Sequence, residues 1–410
     1  MTRRTLLALP SLPAFAQGPP PNWTQWGGTH RNFTVPAVSI KQSWAPSGPR
    51  ILWKRPLGEG FSAISVAHPL AYTLYGRPGQ ETAIAVETAT GSTKWEDTTP
   101  VSFTSAYAEM GSGPFAAPLL ISGRLITAGA TGRLQCLDML SGKLFWTQQL
   151  WSDHKATRLD YGYASSPIAF RDSVIVPAGG PGKALMAFHV SDGRLLWSRN
   201  NLPNAYSSPI LINLDGLEQL VMLMDGALLA VKPHNGDPQW SVPFKADFGI
   251  AVATPVWSPQ DRLLFISAEY GAGAKVIQLT RDGLRTRAKE LWASNRLRLH
   301  HGNAIRTGSA YYFTSGGKGS QAILTAVEAA TGKILWQERS IEKATFLAAG
   351  DTLVTLDQDG NLMLAQPSPQ GFKILAKAQI LNGLSWTPPT LSGTRLYLRN
   401  RREMAAVELG

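Results

Sequence analysis

Apolar residues in this chain come in short runs that Gly, Pro, Asn, Asp and Ser interrupt before any run reaches helical length. Runs of that kind are strands. One arrangement of them recurs seven times: a small apolar run, an acidic or polar residue, a Gly-centred turn, then a Trp or its stand-in. The clearest copies lead from Ala85 through Glu87 and Gly91 to Trp95, from Cys136 through Asp138 and Gly142 to Trp146, and from Ala326 through Glu328 and Gly332 to Trp336. Weaker copies end at Trp197, Trp240 and Trp292, and a degenerate one ends at Ala376 after Phe372-Lys373-Ile374-Leu375. A period of roughly 40 to 50 residues holding several short strands predicts one β-propeller blade per period.

The unit from Ala164 to Trp197 shows the expected four strands, Ser165–Phe170, Ser173–Val176, Ala184–Phe188 and Arg194–Trp197. Gly193 supplies the positive φ that the last tight turn needs. The chain ends carry the strongest inference. The last unit, with runs Arg395–Leu398 and Met404–Leu409, stops where every other copy goes on to its Trp strand, whereas Ile51-Leu52-Trp53-Lys54-Arg55 is such a strand with no blade before it. Joining them predicts an all-β, eight-bladed β-propeller of four-stranded antiparallel blades, closed by an N-terminal strand that completes the C-terminal blade. Its Trp-type positions are 53, 95, 146, 197, 240, 292, 336 and 376. Closure removes the open edges that a stack of repeats would otherwise expose.

The repeats run nearly to the C-terminus of the 410 residues, so one propeller over 51–410 is expected, preceded by an extension over 17–50 and an export signal over 1–16. The signal is read from Thr2-Arg3-Arg4, the apolar stretch that follows and Ala14-Phe15-Ala16. Its paired arginines point to the twin-arginine route, which places the protein in the periplasm or outside the cell. No other segment is long and apolar enough to span a bilayer. Cys136 is the only cysteine, which excludes an internal disulfide, and it reads as a small buried hydrophobe.

Net charge is +11, with basic residues densest between Arg281 and Arg306. They read as solvated turns and strand edges that discourage strand pairing. Nucleic-acid modules are absent, and the basic residues are not interleaved regularly with aromatics. The loop from Pro177 to Ala184 lacks the first Gly and the final Ser/Thr of a phosphate loop. His300-His301, read as strand residues, would point to opposite faces and so not meet at one ion. No Gly-x-Ser-x-Gly elbow is present.

The repeat, from Ala85 to Trp95 and from Ala326 to Trp336, resembles that of the PQQ-type, or quinoprotein-like, eight-bladed propellers. The opening Trp23-Thr24-Gln25-Trp26-Gly27-Gly28, the closing Trp386-Thr387-Pro388-Pro389 and the run Leu396-Tyr397-Leu398-Arg399-Asn400-Arg401-Arg402 look like a bacterial branch of that superfamily. The resemblance is specific for fold and poorly specific for chemistry. It implies one of two outcomes: a cofactor-free scaffold, like the propeller lipoprotein of the outer-membrane barrel-assembly machine, or a PQQ-dependent dehydrogenase with a calcium-bound quinone. The disulfide of adjacent cysteines frequent in the dehydrogenases is excluded here, and no Glu, Asn and Asp set can be placed on their metal positions. No cofactor is therefore expected, with PQQ and calcium as the alternative.

Strand parity puts the loop leading into each blade on the same face as the loop joining its second and third strands. Two lead-in loops are long, Glu96 to Pro114 and Thr147 to Tyr163. Long loops on a rigid ring are where function is usually placed. The candidate binding face consists of Tyr107, Glu109, Trp151, His154, Arg158, Tyr161 and Tyr163 from these loops, with Tyr206 and His301 from others. The expected protein is an exported, monomeric, non-catalytic scaffold that binds a protein or small-molecule ligand there. A PQQ-dependent alcohol or sugar dehydrogenase is the alternative, and a carbohydrate-binding propeller is the second.

Overall fold

Each repeat folds as a four-stranded antiparallel sheet because its apolar runs are strand-length and its Gly-centred turns permit tight reversals. The structure, a computed structural model, describes residues 21–107, 111–316 and 321–410. The export signal expected over 1–16, and Glu109, lie outside the described residues. Seven blades occupy 65–100, 119–149, 168–199, 210–244, 256–294, 305–338 and 344–379 in chain order, and are numbered 1 to 7. The third contains Ile168–Phe170, Ser173–Pro177, Leu185–His189 and Leu195–Arg199, within a few residues of the strands expected from sequence. Blade 8 contains Thr390–Ser392, Arg395–Arg399 and Glu403–Glu408, and its outer strand is Arg50–Pro56 from the other end of the chain. Among the described residues no helix is long and apolar enough to cross a membrane.

The repeat motif fastens each blade to the next. Trp95 sits opposite Ala85, Trp146 opposite Cys136 and Trp336 opposite Ala326, each beside a β-bulge that bends the outer strand. The indole then docks on the following blade, where Nε1 of Trp95 donates to the Met139 carbonyl at 2.9 Å and Nε1 of Trp146 to that of Val190 at 3.0 Å. Its ring covers the Gly of the next blade's last turn. A Cβ on Gly142, which has φ +73°, would lie 2.6 Å from the Trp95 ring. The glycine is thus required twice, for its backbone conformation and for the ring above it.

Three of the eight positions depart from this scheme. Trp336 keeps the bond, its Nε1 donating to the Ser368 carbonyl at 2.7 Å, but a Cβ on Gly371 would meet nothing within 4 Å. Blade 5 ends in a long hairpin, Gly273–Asp282 with Arg285–Ser294, so Trp240 has no such turn to cover and donates instead to Gln219 Oε1. Ala376 faces the seam of blade 8, where Gly48 packs against Ala378. The basic cluster lies partly on that hairpin, where Arg287 pairs with Asp282 at 2.7 Å, while Arg306 pairs with Asp261 at 2.5 Å.

The extension before the first blade is not a loose leader. Trp23 bridges Val66 on the inner strand of blade 1, and Thr34–Val35 pairs in parallel with Ala348 and Ala349 on the inner strand of blade 7. Between them Arg31, fully buried, donates to the carbonyls of Ser166 and Pro167 in blade 3 at 3.0 and 2.9 Å. Trp26 Nε1 reaches Thr254 Oγ1 of blade 5 at 2.9 Å. One short segment therefore touches blades on all sides of the axis and plugs the central channel. Trp23 and Phe33 belong to the largest apolar cluster of the core. Strand periodicity does not reveal this, because a plug fits by side-chain contacts and carries no repeat.

Candidate functional site: an aromatic funnel

The lead-in loops of all eight blades converge on the axis at one face, above the plug. They enclose a funnel of about 800 Å³ with Trp26 of the plug at its base. That size and its largely apolar lining match small-ligand sites. Proline sets which side chains reach it. The inner strands of several blades start with two small or short residues and a Pro, and the residue three positions before that Pro faces the funnel: Phe115, Ala164, Tyr206, Val252 and Trp386. The residue one before the Pro faces it in three blades, as Ser166, Ser208 and Pro388. This is the two-residue alternation of extended chain.

The rings form two groups. On one wall His301 stacks on Trp386 at 4.8 Å, Trp386 on Phe61 at 5.4 Å and Phe61 on Phe115 at 6.4 Å, with interplanar angles of 22°, 26° and 11°. Opposite, Tyr107 lies parallel to Tyr161 at 5.5 Å, and Tyr161 meets Tyr206 edge-on at 5.6 Å. Phe248 and Tyr270 complete the lip, both with positive φ, 62° and 53°, a conformation disfavoured for such bulky residues. Phe248 is 85% exposed, an unusual position for a phenyl ring.

Charge is sparse. His300 and His301 lie ring to ring at 3.7 Å, and Tyr270 Oη is 2.9 Å from His300 Nε2. Burial pushes His300 down to about 4 and, with the neighbouring His300 and Lys343, holds His301 well below the usual imidazole range. Both rings are neutral near pH 7. The one lysine lining the funnel among the described residues is Lys343, with its ammonium 5.8 Å from the Trp386 ring centre and its pKa lowered by burial. Asp160 and Glu342 are the lining carboxylates, on the loops into blades 3 and 7.

The expected face divides in the structure. Tyr107, Tyr161, Tyr206 and His301 line the funnel. Trp151 and Arg158 instead line an adjoining groove of about 520 Å³ between the loops into blades 2 and 3, which shares Ala106 and Asp160 with the funnel. His154 is bonded to Gln148 Oε1 at 3.0 Å and packs edge-on against Phe188. Tyr163 is a correction, since it is fully buried and donates to the Pro177 carbonyl at 2.9 Å. It stands four residues before Pro167, so alternation turns it into the core. The expectation that the two histidines point apart is likewise overturned, because they lie in a loop ahead of Ile305–Thr307, where strand alternation does not apply. Sequence reasoning missed Trp26, Phe61, Phe115, Phe248, Tyr270 and Trp386, although the spacing to Pro marks two of these.

A calcium-bound quinone does not fit this lining. PQQ is an acidic quinone, and a hard cation needs several oxygen ligands. The described lining offers one cation, two carboxylates on opposite sides of the ring, and no cluster of three His, Cys, Asp or Glu side chains.

These features define a repeat propeller with a channel plugged on one side and a ring-lined cup on the other. A family model described as outer membrane protein assembly factor BamB matches residues 43–157 and 79–338, and the chain belongs to that family. Among solved structures it is similar to BamB from Moraxella catarrhalis, at 17% identity and TM-score 0.61, covering 88% of this chain and 100% of that one. It is also similar to the quinohemoprotein alcohol dehydrogenase from Comamonas testosteroni, at 12% identity and TM-score 0.68, covering 95% of this chain and 81% of that one. A europium-containing methanol dehydrogenase matches at 10% identity and TM-score 0.52, covering 95% and 98%. At such identities the likeness shows the fold alone. No curated protein matches by sequence.

Proposed function

We propose that this chain is an exported, non-catalytic binding protein that seats a ligand or partner segment in the aromatic funnel of its loop-rich face. The observation that carries the reading is the funnel itself, a blind cup walled by aromatic rings and floored by Trp26. Rings that remain in water at the lip, Phe248 above all, gain most from being covered. Binding partners through a rigid propeller accords with membership of an assembly-factor family. Export rests on the Arg3-Arg4 leader and would deliver the protein to the periplasm or beyond.

The dehydrogenase reading is set aside on the donor set described above. One experiment tests both. The purified mature chain is given PQQ and calcium, then examined by absorbance, mass spectrometry and dye reduction with alcohols and sugars. In parallel it is used as bait in its native extract, alongside Trp386→Ala and Tyr161→Ala variants. Loss of a captured ligand in both variants, with no quinone retained, supports the proposal. Stoichiometric quinone with turnover, or capture indifferent to both replacements, overturns it.

A further inference from the structure

A ligand entering the funnel meets aromatic rings, short polar side chains and, among the described residues, one lysine against two carboxylates. The near-parallel run from His301 through Trp386 and Phe61 to Phe115 crosses loops of four blades, and the Tyr107 and Tyr161 pair lies within 10° of parallel on the other wall. Aromatic faces of this kind attract flat apolar surfaces, whether C–H faces or other rings. The polar groups sit beside them. Glu342 accepts from Gln358 Nε2 at 3.1 Å, which places a carboxylate and an amide side by side at the funnel wall. A neighbouring carboxylate and amide keep further acceptor sites and an N–H donor that hydroxyl groups can use.

Charge narrows the class further. The chain carries +11 overall, yet the described funnel lining has a single lysine against Asp160 and Glu342, and its two histidines are neutral. Among the described lining residues an anionic ligand would find one cation, and a cationic ligand would enter against the protein's positive field. The class that combines apolar flat faces, neighbouring hydroxyls and no charge is neutral carbohydrate.

We propose that the funnel binds a neutral oligosaccharide, with sugar rings stacked on Trp386 and Tyr161 and the chain stopped from below by Trp26. This rests on the reading of the funnel as a binding site. Its test uses the full mature protein in calorimetric titrations with three classes of probe: neutral hexasaccharides of glucose and of N-acetylglucosamine, an acidic oligogalacturonate, and a tyrosine- and tryptophan-rich peptide. Wild type, Trp386→Ala and Tyr161→Ala are compared after far-ultraviolet spectra and melting curves show each is folded. His154→Ala, outside the funnel, is the control. The expected result is saturable binding of a neutral hexasaccharide, weakened about tenfold or more by either funnel replacement and unchanged in the control. Funnel-dependent binding of the peptide or the acidic sugar alone overturns the carbohydrate class and leaves the binding site standing. Binding of no probe, together with native-extract capture indifferent to the funnel variants, removes both.

Discussion

Trp53 Nε1 donates to the Thr88 carbonyl at 3.0 Å, joining a strand from the start of the repeats to the first blade, while the same strand pairs with Glu403–Glu408 at the chain's other end. The contact repeats the Trp lock found between ordinary neighbours, but here it fastens the two ends of the polypeptide. Gly91 lies beneath the ring, and a Cβ there would come 2.7 Å from it.

Trp53→Ala should therefore cost about 3 to 5 kcal/mol, the range for removing a large buried aromatic. Gly91→Ala should destabilise as well, because it meets both the ring and a φ of +71°. Equilibrium urea unfolding measures both. A loss under 1 kcal/mol for Trp53→Ala would show that the seam does not need its lock.

The seam has a second fastening. Arg399 is fully buried and donates to the carbonyls of Gly60, Ser62 and Leu74 and to Thr73 Oγ1, all in or leading into blade 1, at 2.7 to 2.9 Å. Burial without a carboxylate partner pushes its pKa down to about 9. Arg399→Ala would orphan several buried acceptors and should cost roughly 3 to 5 kcal/mol. Arg402, three residues on, pairs with Glu59 at 2.7 Å from an exposed position. Arg402→Ala should cost less than about 1 kcal/mol. Comparable losses in the two would contradict this assignment.

Glu81 introduces a pH dependence. Burial at the interface of blades 1 and 2 raises its carboxyl to about 7, against the Ala130 N–H that donates to it at 2.9 Å. The folded chain thus holds a proton that the unfolded chain releases nearer 4.5. Stability from this group is complete below that value and declines as pH rises toward 7. Glu81→Gln keeps the acceptor for Ala130 and removes the titration. It should raise the melting temperature at pH 8 and change it little at pH 4, and a stabilisation equal at both values would refute the cause given.

The ring, its seam and the closing strand at Trp53 are legible in the sequence because the repeat copies one local rule: small run, Gly turn, Trp. The plug is not, since Trp26 and Arg31 obey no period and are placed only by partners far along the chain. The funnel is half legible. Tyr206 and Trp386 stand three residues before Pro209 and Pro389, and Tyr107 and Tyr161 are marked by the length of their lead-in loops, but Phe248 and Tyr270 are held by irregular loops whose path depends on neighbouring blades.

Tyr163 and Arg158 separate surface from core on one loop. Tyr163→Ala should cost about 3 to 5 kcal/mol through the lost ring and its bond to Pro177. Arg158 is exposed in the outer groove, and Arg158→Ala should stay within about 0.5 kcal/mol. Thermal unfolding of the two single variants checks the assignment, and a destabilising Arg158→Ala would mean that the groove is structural.

His300 opposes Glu81 across the acidic range. Its folded pKa, lowered to about 4 by burial and by Lys343, lies below the ordinary value of 6.5. The unfolded chain takes up a proton first as pH falls, so the stability tied to neutral His300 is complete above 6.5 and is lost progressively toward pH 4. The expected loss is on the order of a few kcal/mol. His300→Gln retains a side chain able to bond Tyr270 and cannot titrate. Urea midpoints measured from pH 4 to 7 should rise with pH more steeply in the wild type than in this variant, and more steeply still in Glu81→Gln, where the opposing slope is gone. Parallel curves for wild type and His300→Gln would show that the histidine pair is not held neutral by burial in the funnel wall.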